Sequence, residues 1–539
     1  MSDRMIPMAF EPLLLTVMKE MREKQSVFYV PAVRPKSAPL AFCGGVMENP
    51  VGPAAGPHTQ LANNLVAAYA AGARIFELKT VQIIDGEDLP VDKPCIYVQG
   101  EAYNVEWSTE LTVAQAAEEY IKAWLLIKVL AKEFDLGSPE GFQFHMSVGY
   151  DLPGLQSPKI DGFIETMKDA SRSPVWAESL AILKKHLDLF RVVDEAYLDA
   201  IPSALCNTVT LSTLHGCPVD QIQAMITHML REKGLHTFVK CNPTLVGYET
   251  ARKVLDEKGY DYLSFGPEGF EHDLKLDYAV KMLTEMTQLA RSLGLTMGVK
   301  LTNTFPVAIR NRELPGQTMY LSGKPLFLLS IRTAKLLSDA FDGALPISFS
   351  GGIDAHNVAQ VLSAGIAPVT LATLLLKQGG YKNLTRLAGL APETIPEQVD
   401  CRLLDRLIEQ VAEDSYYQKE KPGRTVLRPL TDLACYQCRN CVDVCPNRAN
   451  LPLTELKKAV HVDDLCNECG NCACFCPFGY TPYRDKFTLF SSEATMADSA
   501  NQGFRLTDTG FVARVGEREI TQLEELPEQL REVVRTFLN

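Results

Sequence analysis

Two cysteine runs of identical spacing constrain this chain more than anything else in its 539 residues. The first reads Cys435-x2-Cys438-x2-Cys441-x3-Cys445-Pro446, and the second Cys466-x2-Cys469-x2-Cys472-x3-Cys476-Pro477. Nine of the fifteen cysteines fall between Cys435 and Cys476. Such crowding in an otherwise ordinary chain points to metal ligation, not to disulfides. C-x2-C-x2-C-x3-C-P is the spacing with which bacterial ferredoxins hold paired 4Fe–4S cubanes. The first three thiolates of a run wrap one cubane, and the fourth is carried by the following turn to the other. The expected sets are therefore Cys435, Cys438, Cys441 and Cys476 for one cluster, and Cys466, Cys469, Cys472 and Cys445 for the second. Cys474 is out of register and reads as a spare or near-cluster thiol. Two zinc sites are the alternative, but zinc motifs bring two C-x2-C knuckles to each ion, a poor match to eight thiolates with two Cys-Pro ends. Cubane pairs move single electrons, so another part of the chain must supply or accept them.

That part is sought in the first 380 residues, where short β-branched or apolar runs alternate with helical stretches. The expected strands are Ala41–Pro50, Ile75–Val81, Phe142–Val148, Thr208–Thr213, Thr237–Cys241, Met297–Thr302, Pro346–Ser350 and Val369–Ala372. Amphipathic stretches between them include Gln60–Ala71, Asp220–Glu232, Leu276–Leu293, Leu326–Ala340 and His356–Ala364. Alternation of this kind predicts a parallel sheet with crossover helices, and eight repeats predict an α/β fold, a (β/α)8 TIM barrel with insertions. A doubly wound open sheet is the runner-up, but the first strand leads into Gly52-Pro-Ala-Ala-Gly56-Pro, not the G-x-G-x-x-G that seats a pyrophosphate. Long insertions at 82–141, with a helix around Leu111–Phe134, and at 150–206 are expected to decorate the C-terminal face of the barrel.

Composition narrows the function classes. A net charge of −13 and a pI near 5.3 leave no electrostatic footprint for nucleic acid or anionic lipid. No apolar run reaches the ~18 residues that span a bilayer, and residues 1–10 do not resemble a secretory leader. The expectation is a cytoplasmic protein that binds neither nucleic acid nor membrane.

Strand seven ends in Ser350-Gly351-Gly352-Ile353-Asp354 and strand eight in Ala372-Thr373. Paired glycines there let backbone amides approach an anion, in the manner of the barrel phosphate cradle. A phosphate-binding barrel beside an iron–sulfur module suggests FMN, which converts two-electron chemistry into single-electron steps.

These residues resemble the FMN barrels of dihydroorotate dehydrogenase and dihydropyrimidine dehydrogenase over about residues 40–380, and the ferredoxin module extends the likeness to about 480. Asn49-Pro50-Val51-Gly52 is similar to their first-strand turn beneath the flavin, Lys79-Thr80 to their second-strand K-T, and Lys240 with Asn242-Pro243 to their fifth-strand lysine. Thr302-Asn303-Thr304 resembles the sixth-strand N-T that meets substrate. The runs Asn49–Leu61, Phe76–Gln82, Glu106–Glu110 and His215–Pro218 resemble more closely still the flavoprotein subunits known as selenate reductase. The likeness implies flavin contacts from Ala54, Ala55, Gly56, Lys79, Thr80, Lys240, Asn303, Thr304, Ser350, Gly351, Gly352, Ala372 and Thr373. Members of that group often continue into an FAD- and NAD(P)-binding half, so a separate FAD/NAD(P)H-binding subunit or a ferredoxin is the expected partner, in a homo- or hetero-oligomer.

One departure concerns catalysis. The pyrimidine enzymes carry N-x-S-C-P near strand four, where this chain reads Thr210-Leu-Ser212-Thr213-Leu-His215-Gly-Cys217-Pro218. Proton transfer opposite a hydride donor therefore falls to Cys217, with Ser212, Thr213 and His215 as the other candidates. A neighbouring imidazole could tune the Cys217 thiol. Asn104, Glu106 and Trp107 could line the pocket, and Cys43, Cys95, Cys206, Cys241 and Cys401 read as isolated small hydrophobes. The expected divisions are an N-terminal helical extension (1–40), the barrel (41–382), a helical linker (383–430), the cluster module (431–482) and a C-terminal extension (483–539). Two functions fit: an enzyme acting at FMN on a small, N-heterocyclic substrate, or an electron-transfer subunit whose FMN is only a relay.

Overall fold

A computed structural model describes residues 5–538 except 90, 106–107, 214–216, 421–431 and 436. Eight parallel strands run β1 (Val51–Pro53), β2 (Ile75–Glu77), β3 (Gln143–Tyr150), β4 (Thr208–Thr213), β5 (His236–Cys241), β6 (Met297–Leu301), β7 (Ile347–Phe349) and β8 (Val369–Leu371). They pair in the order β1-β8-β7-β6-β5-β4-β3-β2. The seam between β1 and β2 is drawn together by the Arg74 amide, which donates to the Val51 carbonyl at 3.1 Å. The chain is thus an α/β protein with a nearly closed eight-stranded parallel barrel. Strand residues such as Val148, Val209, Val239, Val299 and Val369 are fully enclosed, the two-sided burial that makes parallel strands read as continuous apolar runs.

Seven of the eight expected strands lie where the alternation placed them, within a few residues. The first does not. Residues 41–50 hold no barrel strand; Leu40–Phe42 and Gly45–Met47 form an antiparallel hairpin, and β1 follows at Val51. The cause is local: Cys43 (φ 48°) and Gly44 (φ 82°) both adopt the left-handed conformation, which a two-residue hairpin turn demands.

The insertions build two things. Helix Val113–Phe134 starts at a reciprocal cap, Thr112 Oγ1 accepting from the Gln115 amide at 3.2 Å. It packs Trp124 against Phe142 and Phe144, and Tyr120 against Phe163. Residues from the β2 and β6 loops form a four-stranded antiparallel sheet, Phe305–Ala308, Thr318–Ser322, Ala102–Asn104 and Ile96–Val98. This sheet stands over the C-terminal ends of the barrel strands.

Helix Lys382–Leu390 follows β8, and Cys401–Glu413 packs its Leu404, Leu407 and Val411 against helix Lys324–Ala340. Up to residue 420 the expected linker is thus packed on the barrel; its remainder lies outside the described residues. The segment between the two cysteine runs and the residues after them share one six-stranded sheet from Asn450–Leu453 to Arg518–Ile520, with Phe487, Phe504 and Phe511 packed on helix Glu528–Leu538. Among the described residues no helix is long and apolar enough to cross a membrane.

Candidate active site

A cavity of about 460 Å³ opens at the barrel mouth, beneath the four-stranded sheet. Its wall contains Ala54, Ala55 and Gly56 after β1, Lys79 after β2, Ser212 and Thr213 ending β4, and Lys240 on β5. Asn303 and Thr304 after β6, Ser350 and Gly352 after β7, and Ala372 and Thr373 after β8 complete the ring. Nearly all residues singled out in the sequence as flavin contacts thus converge on one space, which falls in the usual range for small-molecule and cofactor pockets.

Three singled-out residues stand apart from the wall. Thr80 is buried behind it, its hydroxyl 2.8 Å from Ser147 Oγ. Gly351 is packed so closely that a Cβ there would collide with Ser330. Cys217 is partly exposed just before helix Val219–Arg231, its Sγ within 4.0 Å of Gln221 Oε1. Burial, with Asp220 and Asp151 nearby, pushes its thiol pKa up. His215, Glu106 and Trp107 lie outside the described residues.

The loop after β7 differs from the expected cradle in one respect. The amides of Ser350 and Gly351 both donate to Leu301 O, at 2.7 and 3.3 Å, and that of Gly352 donates to Ser350 O at 2.8 Å. These donors are engaged within the protein. The cavity instead receives the starts of two helical segments, Lys324–Ala340 behind Gly323 and Thr373–Leu376 behind Ala372. The Leu326 and Phe327 amides already donate to Gly323 O and that of Leu375 to Ala372 O, and Pro325 carries no N–H, so only the first one or two amides of each segment lack an intrahelical acceptor. Gly352 (φ 82°) permits this approach, since a Cβ on it would strike the Gly323 carbonyl.

The floor is charged, and most of that charge was missed in the sequence. Glu77 lines the cavity at the end of β2 with 3% exposure, and Lys300, fully enclosed on β6, pairs with its Oε2 at 3.1 Å. Lys300 also donates to Thr370 Oγ1 at 2.7 Å and Ser348 Oγ at 3.1 Å. Thr370 Oγ1 donates onward to Glu77 at 3.2 Å, and the Ala55 amide does so at 3.3 Å. Lys240 and Lys300 are register partners on β5 and β6. Burial alone would raise the Glu77 pKa, but Lys300, Lys240 and His145 pull it down to about 2, so it is a carboxylate. Only its own pattern, an acidic residue in an apolar strand, hinted at a buried partner.

Asn303 is oriented from below. Asp273 accepts from Asn242 Nδ2 at 3.1 Å, and Asn242 Oδ1 accepts from Asn303 Nδ2 at 2.6 Å. Tyr320, Ser322 and Tyr103 complete the roof, on strands too short to carry a periodic signal. Helix Val113–Phe134 reaches the site through Tyr120, whose hydroxyl donates to Lys79 O at 2.9 Å.

The cysteine runs abut this roof. Ile96, in the cavity wall, donates its amide to Cys469 O at 2.8 Å, and Cys95 donates to the same carbonyl at 3.2 Å. Cys95 is therefore a neighbour of the cysteine runs. Cys474 Sγ accepts from the Val98 amide at 3.5 Å. The other four isolated cysteines are wholly or partly buried. The thiols sort by their neighbours. Beyond burial, Cys441 is raised to about 11 by Cys438, Cys476 and Cys435, with Lys486 opposing. Cys472 is raised by burial and then by Cys445, Cys466 and Cys441. A buried seam of asparagines joins this region to the barrel: Asn63 donates to Asn447 O, Asn447 to Asn467 Oδ1, and Asn467 to Glu110 Oε1 at 2.5 Å. Among the described residues no three His, Cys, Asp or Glu side chains gather tightly enough to hold a single ion.

A TIM barrel whose C-terminal mouth gathers two lysines, a buried carboxylate and two helix starts around a cofactor-sized cavity is the framework of an enzyme. The sequence profile described as "Oxidoreductase YgfK, N-terminal TIM-barrel domain" matches residues 24–419. The chain therefore belongs to that oxidoreductase family. It is 42% identical over 477 residues to the "Putative oxidoreductase YgfK" of Escherichia coli strain K12, covering 84% of this chain and 46% of that protein. The same figures hold for the protein of that name from Escherichia coli O157:H7. The chain spans about half the length of these curated relatives.

Proposed function

We propose that this chain is the FMN- and iron–sulfur-bearing part of an oxidoreductase, acting at the barrel mouth on a small N-heterocyclic substrate. Electrons pass between that mouth and a separate FAD/NAD(P)H-binding flavoprotein or a ferredoxin through two 4Fe–4S clusters. The observation that carries the reading is convergence. Lys79, Lys240, Asn303, Ser350, Ala372 and Thr373 come from five different strand ends yet share one cavity, whose wall residue Ile96 is bonded to Cys469.

The residues present fit the cofactors. Lys79 and Lys240 offer positive charge to a ring that gains negative charge on reduction, and the two helix starts suit a phosphate. FMN, when bound, exchanges two electrons with an organic substrate and passes them on singly. The crossed grouping of thiols suits two cubanes, in which each iron takes its own thiolate and the cysteines stand wider apart than around one ion. Asn303, with its amide N–H₂ held by Asn242, is left to offer its Oδ1 to a substrate N–H. Ser212 and Thr213 place hydroxyls at the wall, where a proton is held or passed.

The second reading, a flavin relay without organic substrate, draws on the position of Cys217 away from the cavity wall. Anaerobic titration separates the two. Bleaching or reoxidation of the flavin by purines, pyrimidines or hydantoins supports the enzyme, and indifference to all of them supports the relay.

A further inference from the structure

We infer that the buried Glu77–Lys300 pair is a positioning and charge-setting device for the ring-binding floor of the cavity, with Glu77 partly offsetting the lysines around it. The inference rests on the flavin reading above and extends it to two residues that neither the motifs nor the family resemblance assigns a role.

The geometry is specific. Glu77 is the acidic group through which β2 reaches four other parts of the barrel: Lys300 on β6 at 3.1 Å, Thr370 on β8 at 3.2 Å, Thr210 on β4 at 3.5 Å and the Ala55 amide after β1 at 3.3 Å. The last contact fixes the turn that forms the cavity wall at Ala54–Gly56. Lys300 lies one strand from Lys240 in register, and Lys240 feels Glu77, Lys300 and Lys79 in turn. Burial lowers the pKa of both Lys240 and Lys300, and the Glu77 carboxylate opposes that shift in each. His145, packed beside them with its Nε2 2.6 Å from Thr210 Oγ1, is neutral, because burial holds its pKa down to about 4.

A buried ion pair costs more in desolvation than a neutral apolar pair of similar volume, so its presence at the cavity floor calls for a reason other than stability. Charge at this buried position acts on a bound ring with less screening than it would in water. Two-electron reduction of a flavin adds negative charge to that ring. Removal of the Glu77 charge leaves the site more positive and favours the reduced form, whereas removal of the Lys300 charge does the reverse.

The test is a double-mutant cycle on the cofactor-loaded full chain, reading the flavin midpoint potential and the FMN dissociation constant under anaerobic conditions. Glu77→Gln is expected to shift the potential upward and Lys300→Met downward. The double variant, neutral at both positions, is expected to return close to the wild type. A pair with only a structural role would move both single variants the same way, through lost FMN affinity, and the double variant no nearer the wild type. That result, or unchanged potentials with FMN bound, overturns the inference. If Glu77→Gln does not fold, Lys300→Met against the double variant supplies the same comparison of sign. Wild-type protein that takes up no flavin fails earlier, and refutes the flavin reading together with this inference.

Discussion

Ile96 and Cys469 meet through one hydrogen bond, the Ile96 amide donating to the Cys469 carbonyl at 2.8 Å, while the same isoleucine lines the barrel cavity. The second cysteine run is therefore the one fastened to the site. Cys438, in the first run, is exposed. On the proposed reading, a cluster held by Cys445, Cys466, Cys469 and Cys472 would be the inner one, and one held by Cys435, Cys438, Cys441 and Cys476 the outer.

Cysteine substitution should separate the two. Cys438→Ser is expected to remove the outer cluster's spectrum while substrate-derived electrons still reach the inner one; Cys469→Ser is expected to block both. Electron paramagnetic resonance of anaerobically reduced protein reads each. Loss of transfer to the inner cluster in Cys438→Ser would contradict the order.

The hydroxyls at the end of β4 are expected to matter more than the thiol beyond it. Ser212→Ala combined with Thr213→Val should lower turnover at least tenfold, about 1.4 kcal/mol in barrier, whereas Cys217→Ala should leave FMN binding and most turnover in place. Steady-state rates with the substrate found by titration decide between them, and abolished turnover in Cys217→Ala would restore the thiol to the mechanism.

The glycines of the β7 loop are sterically required. Gly352→Ala places a Cβ against the Gly323 carbonyl in a left-handed backbone conformation, and overpacking of this sort costs about 1–3 kcal/mol. Thermal unfolding and FMN retention should both fall. Gly389→Ala, whose Cβ would meet nothing within 4 Å, should be neutral or mildly stabilising, as expected for a helical glycine.

Much of this architecture was legible in the sequence because parallel strands and ferredoxin runs advertise themselves. A strand such as Met297–Leu301 is enclosed on both faces, so it reads as an apolar run, and the repeated cysteine spacing is a pattern that composition alone does not produce. The hairpin Leu40–Met47 misled because its residues are as β-prone as a barrel strand, and only the Cys43-Gly44 turn separates the two. The roof strands, three to five residues each, are too short to show alternation. Glu77 and Lys300 lie 223 positions apart, and their pairing follows from barrel closure, which no local pattern encodes.

Arg74 tests that closure. It is fully enclosed, pairs with Glu48 at 3.1 Å, donates to the carbonyls of Ala73, Tyr69 and Leu136, and covers the Tyr69 ring. Arg74→Met leaves these acceptors unmet and should cost about 3 kcal/mol or more, read as a lowered unfolding midpoint. An unchanged midpoint would show that the β1–β2 seam does not depend on it.

Acid sensitivity follows from three buried imidazoles. Burial lowers His58 to about 3, with Arg448 and Lys79 adding to it, lowers His461 to about 3, with Lys486 adding to it, and lowers His145 to about 4. All three stay neutral in the fold, whereas the unfolded chain binds protons below about 6.5. Their contribution is present above that pH and is lost as pH falls toward 4, with a slope approaching three protons from these groups. Urea titrations between pH 7.5 and 4.5 should show this, and His145→Gln should remove about one proton of slope; a slope unaltered by that change would contradict the assignment.

The most direct measurement is cofactor analysis of the chain purified without air. About one FMN and about eight iron atoms per chain are expected, with a yellow-brown absorption that bleaches on reduction. Colourless protein carrying zinc alone would contradict it.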